Sequence, residues 1–348
     1  MPRKTNPNDN PVGLRDIASQ LDVAVSTVSR ALSGDPGVGV VLAASIRAMA
    51  EQMGYRPQPI RRRRTKAVGL VVSAVSYRDS PDPNDRYFQQ LSWAMERLVT
   101  LRGMHLHLQF VNRDDSTPKI PILVEENRVD GVVLAGHPSP EFCKLAAAFP
   151  VPAVVISDIV ERTGLDSVMI DETEAIRELV RRLVSMGHIN IGWVSSDRRF
   201  PVIAAGEDAF LQAANESGLN IKSDHVIRNF SPNLVGGRRA AEALLGSSSL
   251  PTVLVFANDW MALGALGQFQ RRGYDVPRHI SIIGRGNDGI CEEVDPRLTT
   301  IDRRIEDILA SALDALKTRI DGDISAPRQY RLPARIVWRD SCSSAPRP

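Results

Sequence analysis

The chain is short of the groups that build most protein chemistry. Of its 348 residues only three are cysteines, Cys143, Cys291 and Cys342. They are odd in number and far apart, which excludes a disulfide framework and a thiolate metal site. No run approaches the roughly 20 apolar residues that cross a membrane, and the first residues, MPRKTNPNDNP, lack the apolar stretch of a secretory leader. There is no phosphate-binding P-loop, no G-x-S-x-G elbow, no Cys/His cluster and no isolated pair of carboxylates for acid–base work. His105 and His107 share one side of a strand, but an i, i+2 pair is more often structural than a metal site. The run GRGNDG fits G-x-G-x-x-G, yet Pro296 cuts off the long helix that a dinucleotide site needs. No metal, cofactor or membrane is implied, and the place of action is read as the cytoplasm.

What the chain does have is an uneven charge. The formal net charge is +2, but residues 1–66 carry eleven Lys/Arg against five Asp/Glu. The remainder is mildly acidic. A small basic head on a larger body points to a polyanion as the head's partner. The length suits such a head on a two-part body.

Residues 14–54 read as three short helices, at about 15–21, 25–33 and 41–53. Ile17, Ala18 and Leu21 are inward on the first, and Ile46, Met49 and Met53 form one stripe on the third. The second, within DVAVSTVSRALSG, keeps Val28 and Leu32 on a buried face. Its other face shows Ser26, Ser29, Arg30 and Ser33, where a merely solvated helix would carry Glu and Lys. Two helices joined by a tight turn can form a helix-turn-helix whose second helix enters the DNA major groove. Hydroxyls and a bidentate arginine can read base edges there.

From Ala67 onward short apolar runs alternate with amphipathic helices: AVGLVV, HLHLQFV, VDGVVLA, VPAVVIS, SVMI, INIGWV, TVLVFA and ISIIG. Such runs suit buried parallel strands. Between two of them, Ile176, Leu179, Val180, Leu183 and Val184 mark a helix face, with Asp171 and Glu174 resembling a capping box. The strands are too many for one sheet. The fold class is therefore a small all-α head plus an α/β body of two doubly wound parallel-sheet lobes.

The run LRDIASQLDVAVSTVSRALSGDPGV followed by GYRP resembles the DNA-binding head of the LacI/GalR family of bacterial transcription regulators. Asp16-Ile17-Ala18, Thr27-Val28-Ser29-Arg30 and Gly54-Tyr55-Arg56-Pro57 carry the likeness. In the body, Val129-Asp130-Gly131-Val132, Gly187-His188, Asn258-Asp259, Val276-Pro277 and Leu298-Thr299-Thr300 fall in family order. The likeness spans about residues 14–339. It implies a body like a periplasmic sugar-binding protein, a homodimer, a palindromic double-stranded DNA operator and a small, carbohydrate-like effector in the cleft. It also implies a repressor rather than an activator. The competing readings are an effector-independent DNA-binding regulator and a small-molecule binding protein or enzyme with a vestigial head.

By the same resemblance, Val25, Ser26, Thr27, Ser29, Arg30 and Ser33 contact DNA. In the linker, Ile60 serves as a minor-groove wedge beside Arg61, Arg62, Arg63 and Arg64. The effector candidates are Ser73, Tyr87, Phe88, Ser157, Asp158, Phe230, Asn258, Asp259, Arg285, Asn287 and Asp288. Asp259 is expected to cap a helix while Asn258 faces the cleft.

The chain also departs from the family. Ala24 replaces a serine after the turn, and Val40-Val41-Leu42-Ala43-Ala44 replaces charged residues. Gly206 stands where the family has an arginine, and Gly286 where it has an aspartate. Arg285 is then the candidate cation, with Asn287 or Asp288 as acceptor. The expected boundaries are a tail at 1–13, a head at 14–57, a basic linker at 58–66, a body at 67–340 and a disordered tail at 341–348. The first lobe is expected to hold about 67–160 and 303–321, the second about 161–300 and 324–340.

Overall fold

The computed structural model describes residues 14–32, 37–53, 64–74, 86–112, 117–136, 138–156, 164–198, 201–247 and 249–346. The chain forms two compact units, residues 1–64 and 65–348.

The head unit contains α1 (Leu14–Leu21), α2 (Val25–Leu32) and α3 (Val40–Gln52). Ile17, Ala18, Val28, Ala31, Val38, Ala43, Ile46 and Ala50 form its core, with Leu21, Met49 and Met53 packed at the rim. Asp22 takes the left-handed conformation, φ 51°, that an aspartate tolerates in a turn. The turn closes through the Val23 N–H on the Ala18 carbonyl, 3.1 Å.

The body holds two six-stranded sheets. The first contains β1 (Ala67–Ala74), β2 (His105–Asn112), β3 (Gly131–Gly136), β4 (Ala153–Ile156), β5 (Asp166–Asp171) and β11 (Gln329–Pro333). Their order is β11-β5-β4-β3-β1-β2, all parallel. The second contains β6 (Ile191–Val194), β7 (Val226–Ile227), β8 (Val253–Phe256), β9 (Ser281–Gly286), β10 (Thr299–Asp302) and β12 (Arg335–Val337). Their order is β12-β10-β9-β8-β6-β7, and only β12 runs antiparallel. Among the helices, α4 (Arg86–Leu101) and α11 (Ile305–Ile320) cover one face of the first sheet, and α5 (Ile122–Glu125) and α6 (Pro140–Ala147) the other. On the second, α7 (Thr173–Ser185) and α8 (Pro201–Glu216) pack one face, and α9 (Leu234–Leu245) and α10 (Asp259–Arg271) the other.

Two expected boundaries are corrected. The strand Asp166–Asp171 belongs to the first lobe, where Val155 of β4 aligns with Ser167. Its buried first residue explains why: Asp166 accepts Arg319 Nε (2.8 Å) and Nη2 (2.7 Å) from α11, and the Arg328 N–H (2.7 Å) that leads into β11. Burial would raise this carboxyl, but these donors hold it below its ordinary value. The last strand is also split. Gln329–Pro333 completes the first sheet, and Arg335–Val337 the second. The chain therefore crosses between lobes at 171–173, 302–304 and 334.

The expected C-terminal tail is also docked. Ser341 is buried, its hydroxyl donating to the Ile282 carbonyl (2.6 Å) and accepting the Thr299 N–H (2.9 Å). The Ser343 carbonyl lies 2.8 Å from Nε2 of the buried His188. A serine-rich run reads as disordered from composition alone, but here the hydroxyls satisfy backbone groups at the end of a sheet.

Candidate functional site

In the head, α2 buries Val28 and Ala31 and leaves Val25, Ser26 and Arg30 exposed, with Thr27 and Ser29 partly so. The helix lacks a side-chain cap. The Ala24 carbonyl takes the N–H groups of Thr27 (2.9 Å) and Val28 (3.2 Å), the ordinary first bonds of a helix, and the Ala24 methyl offers no acceptor for a cap. Arg64 is exposed. Ser33, Ile60, Arg61, Arg62 and Arg63 lie outside the described residues, as do Ser157 and Asp158 in the body.

The body candidates fall into three places. Ser73 is buried at the carboxyl end of β1, its carbonyl against Gly136, where a Cβ would come within 2.2 Å. Tyr87 and Phe88 pack against the core of the first lobe, ring centroids 5.3 Å apart, with Phe88 edge-on to Phe110 at 6.1 Å. Both rings are partly buried, each keeping some exposed surface. Phe230 packs against the second lobe's core.

A second group gathers at the N-terminus of α10. The capping roles are the reverse of those expected. Asn258 caps, its Oδ1 accepting the Met261 N–H at 2.8 Å and its Nδ2 donating to the Pro232 carbonyl at 3.1 Å. Asp259 points inward and is buried, accepting the Thr300 hydroxyl (2.5 Å) and the Asp288 N–H (2.9 Å). Burial and the nearby Asp288 carboxylate raise the Asp259 carboxyl above its ordinary value, against the pull of these hydrogen bonds. The carboxylate comes so close to β9 that a Cβ at position 284 would stand 2.2 Å from Oδ1, and one at 286 would stand 2.9 Å from Oδ2. Gly286 also sits at φ +142°, where side chains are rare. Its replacement of the family aspartate thus follows from Asp259 occupying that space. Asp288 accepts the Trp260 indole N–H (3.0 Å), and Asn287 accepts from Arg339 (2.8 Å).

Arg285 forms the third place and turns the other way. It is buried and grips Glu172 through Nε and Nη2, the latter at 3.1 Å from Oε1. Nη2 also donates to the Val202 carbonyl at 3.0 Å. Arg303 adds a second guanidinium to Glu172, with Nε 2.8 Å from Oε1. Burial raises the Glu172 carboxyl, but the two guanidinium charges outweigh it and the group lies below its ordinary value. A side chain at Gly206 would meet Arg285 Nη2 at 3.0 Å. The guanidinium of one strand thus fills the room left by the missing arginine in α8. A cavity of about 110 Å³ opens here between the lobes, lined by Ile170, Asp171 and Arg331 on one side and by Val202, Gly206 and Arg285 on the other.

Sequence reasoning missed Glu172 and Arg303. The DETEA run invited a capping box, but Asp171 Oδ1 takes the Thr173 N–H (3.0 Å), while Glu174 pairs with Arg177 (2.7 Å) and Arg181. Glu172 was the residue between two apparent caps. Also missed was Glu207 in α8, fully buried, which binds Arg198, Arg228 (2.7 Å) and the Ser195 hydroxyl (2.9 Å). A charged pair on an otherwise small-residue helix was its one signal.

Comparison with known proteins agrees with this architecture. Residues 13–58 match the family model for bacterial regulatory proteins of the lacI family, and residues 180–342 match that for a periplasmic binding protein-like domain. Catabolite control protein A of Priestia megaterium is 28% identical over 339 residues, covering 95% of this chain and 99% of that protein. Among solved structures, the lac repressor dimer bound to operator and an anti-inducer superposes with a TM-score of 0.66 at 21% identity, covering 95% of this chain and 99% of that one. The transcriptional regulator CelR–cellobiose complex gives 0.66 at 22%, covering 95% and 100%. Both describe the fold. The chain joins a DNA-binding domain of the lacI family to a periplasmic binding protein-like domain, the make-up of a DNA-binding, effector-responsive transcriptional regulator rather than an enzyme.

Proposed function

We propose that this protein is a homodimeric repressor that reads a palindromic operator through α2 and releases or tightens on it when a sugar-like molecule enters the cleft between the lobes. The observation that carries the reading is α2 itself: a helix seated on Val28 and Ala31, presenting Val25, Ser26 and Arg30 outward. Those groups suit base edges, with Val25 against a thymine methyl and Arg30 against guanine or phosphate. The related solved regulators, one on operator as a dimer and one with cellobiose, support the dimer and the sugar-like effector. A pairing face is available on the first lobe, where Trp93 and Leu101 of α4 and Leu108 of the edge strand β2 are exposed apolar groups. Asn258, Asn287 and Asp288 are the proposed effector contacts on the second lobe, backed by Asp259 and Arg285. The place of action is proposed to be the cytoplasm.

Selection from a random duplex library with the full chain, at near-physiological salt, tests the reading. A two-fold palindrome is expected, and Arg30→Ala should lose it while folding normally. No enriched sequence, or full binding by that variant, would sink the assignment of α2.

A further inference from the structure

The second lobe spends two buried carboxylates on holding arginines. Glu172 serves Arg285 and Arg303, and Glu207 serves Arg198 and Arg228. Buried ion pairs are poor stabilisers, because desolvation offsets most of the attraction. They are better suited to fixing the direction of a charged group. The Glu207 cluster has that form. Glu207 is 0% exposed, whereas the Arg198 and Arg228 side chains are 35% and 39% exposed.

Arg198 follows the carboxyl end of β6 and Arg228 that of β7, the sheet end where doubly wound folds bind ligands. Position 206, one residue before Glu207, already lines the cavity between the lobes. Arg228 contacts Glu207 through Nε (2.8 Å) and Nη2 (2.7 Å), and Arg198 uses Nη1 on Glu207 and Nη2 on Asp208 (2.8 Å). Among the described residues, Nη1 of Arg228 and Nε of Arg198 have no protein acceptor. Each guanidinium is therefore gripped on one edge from beneath and open on another.

We infer that Arg198 and Arg228 form an anion subsite in the cleft, aimed by Glu207, which takes a carboxylate or phosphate group on the effector. Paired planar donors match those groups, and a neutral hydroxyl would use them poorly. Asp208, 61% exposed, pairs with Arg198 Nη2 and is a carboxylate that an incoming anion would displace. The inference rests on the proposed effector cleft and narrows its ligand from sugar-like to acidic.

The test uses the full-length protein with inorganic phosphate, glucose 6-phosphate and glucose as probes, read by thermal shift against chloride of equal ionic strength. Phosphate and glucose 6-phosphate should raise the unfolding midpoint above the chloride control. Arg228→Gln should weaken the apparent affinity for both at least tenfold. Arg228→Lys, which keeps a charge beside Glu207 and so guards against misfolding, should weaken it less. Stabilisation no greater than chloride gives, or a shift that survives in Arg228→Gln, would overturn the subsite. Stabilisation by glucose but not by the anions would overturn it while leaving the sensing cleft intact. A phosphate effect without any change in operator binding would support the subsite and count instead against effector sensing.

Discussion

Glu172 and Asp259 are both buried carboxylates, and they titrate in opposite directions. Glu172 meets two guanidiniums and is held below its ordinary value. Asp259 meets a hydroxyl, a backbone N–H and a thiol, with another carboxylate nearby, and is pushed above it. Burial is common to both, so the partners set the sign. Their positions differ accordingly. Glu172 stands at the first crossover and binds Arg303 at the second, so that one carboxylate ties two of the three strands joining the lobes. Asp259 lies within one lobe and packs the end of α10 against β9 and β10. The first carboxylate braces the joint, and the second shapes the wall that a ligand would meet.

The largest expected effect follows from removing the charge at the joint. Glu172→Gln leaves Arg285 buried without its counter-charge, and breaking such a pair typically costs about 3–5 kcal/mol. Urea unfolding of the full chain should show that loss, and a change within error of zero would break the comparison at its stronger end. Asp259→Asn should be milder. It keeps one acceptor but turns an amide toward the Asp288 N–H, leaving a buried donor unmet, at about 1–3 kcal/mol. A larger loss than for Glu172→Gln would invert the ranking. Asn258→Ala is the nearby control. It removes a partly buried helix cap, at about 1 kcal/mol, and should leave the acid limb of the pH profile unchanged.

Periodicity made the fold legible. The period of 3.6 in Ile176, Leu179, Val180 and Leu183, all buried, and the apolar runs of the strands gave two parallel sheets because those patterns report a local face. Which sheet a strand joins is not local. Asp166–Asp171 enters the first because Asp166 reaches Arg319, 153 residues away, and no window contains both. The division at Ala334 was hidden for the same reason: its N–H binds the Asp171 carbonyl (3.0 Å), a contact across the joint. In the site, resemblance gave positions but not directions. Asn258 and Asp259 were singled out together, and their roles exchanged because the pocket beneath β9 is lined by glycines and admits only the second carboxylate. Arg285 was read as a cation for the cleft, whereas Glu172, which neutralises it, carries no pattern that a sequence displays.

The smallest effect, and the sharpest on the comparison, is in pH. A depressed carboxyl adds stability that is present above its unfolded value and lost as pH falls through the folded one. For Glu172 this loss lies below about 4.5, its ordinary value. A raised carboxyl does the reverse. Asp259 contributes stability at acid pH that begins to fade above its ordinary value of 3.8 and is gone once pH passes the folded value. The two carboxylates therefore oppose each other as acid is added: protonating Glu172 loosens the joint while protonating Asp259 relieves the wall. Thermal midpoints across pH 3 to 7 should separate them. Asp259→Asn, with no carboxyl to protonate, should lose stability more steeply than wild type as pH falls, because the relief is gone. Glu172→Gln should lose it less steeply, having already forfeited the ion pair. Parallel profiles for the two variants would mean that partners do not set the sign, and that depth alone governs both groups.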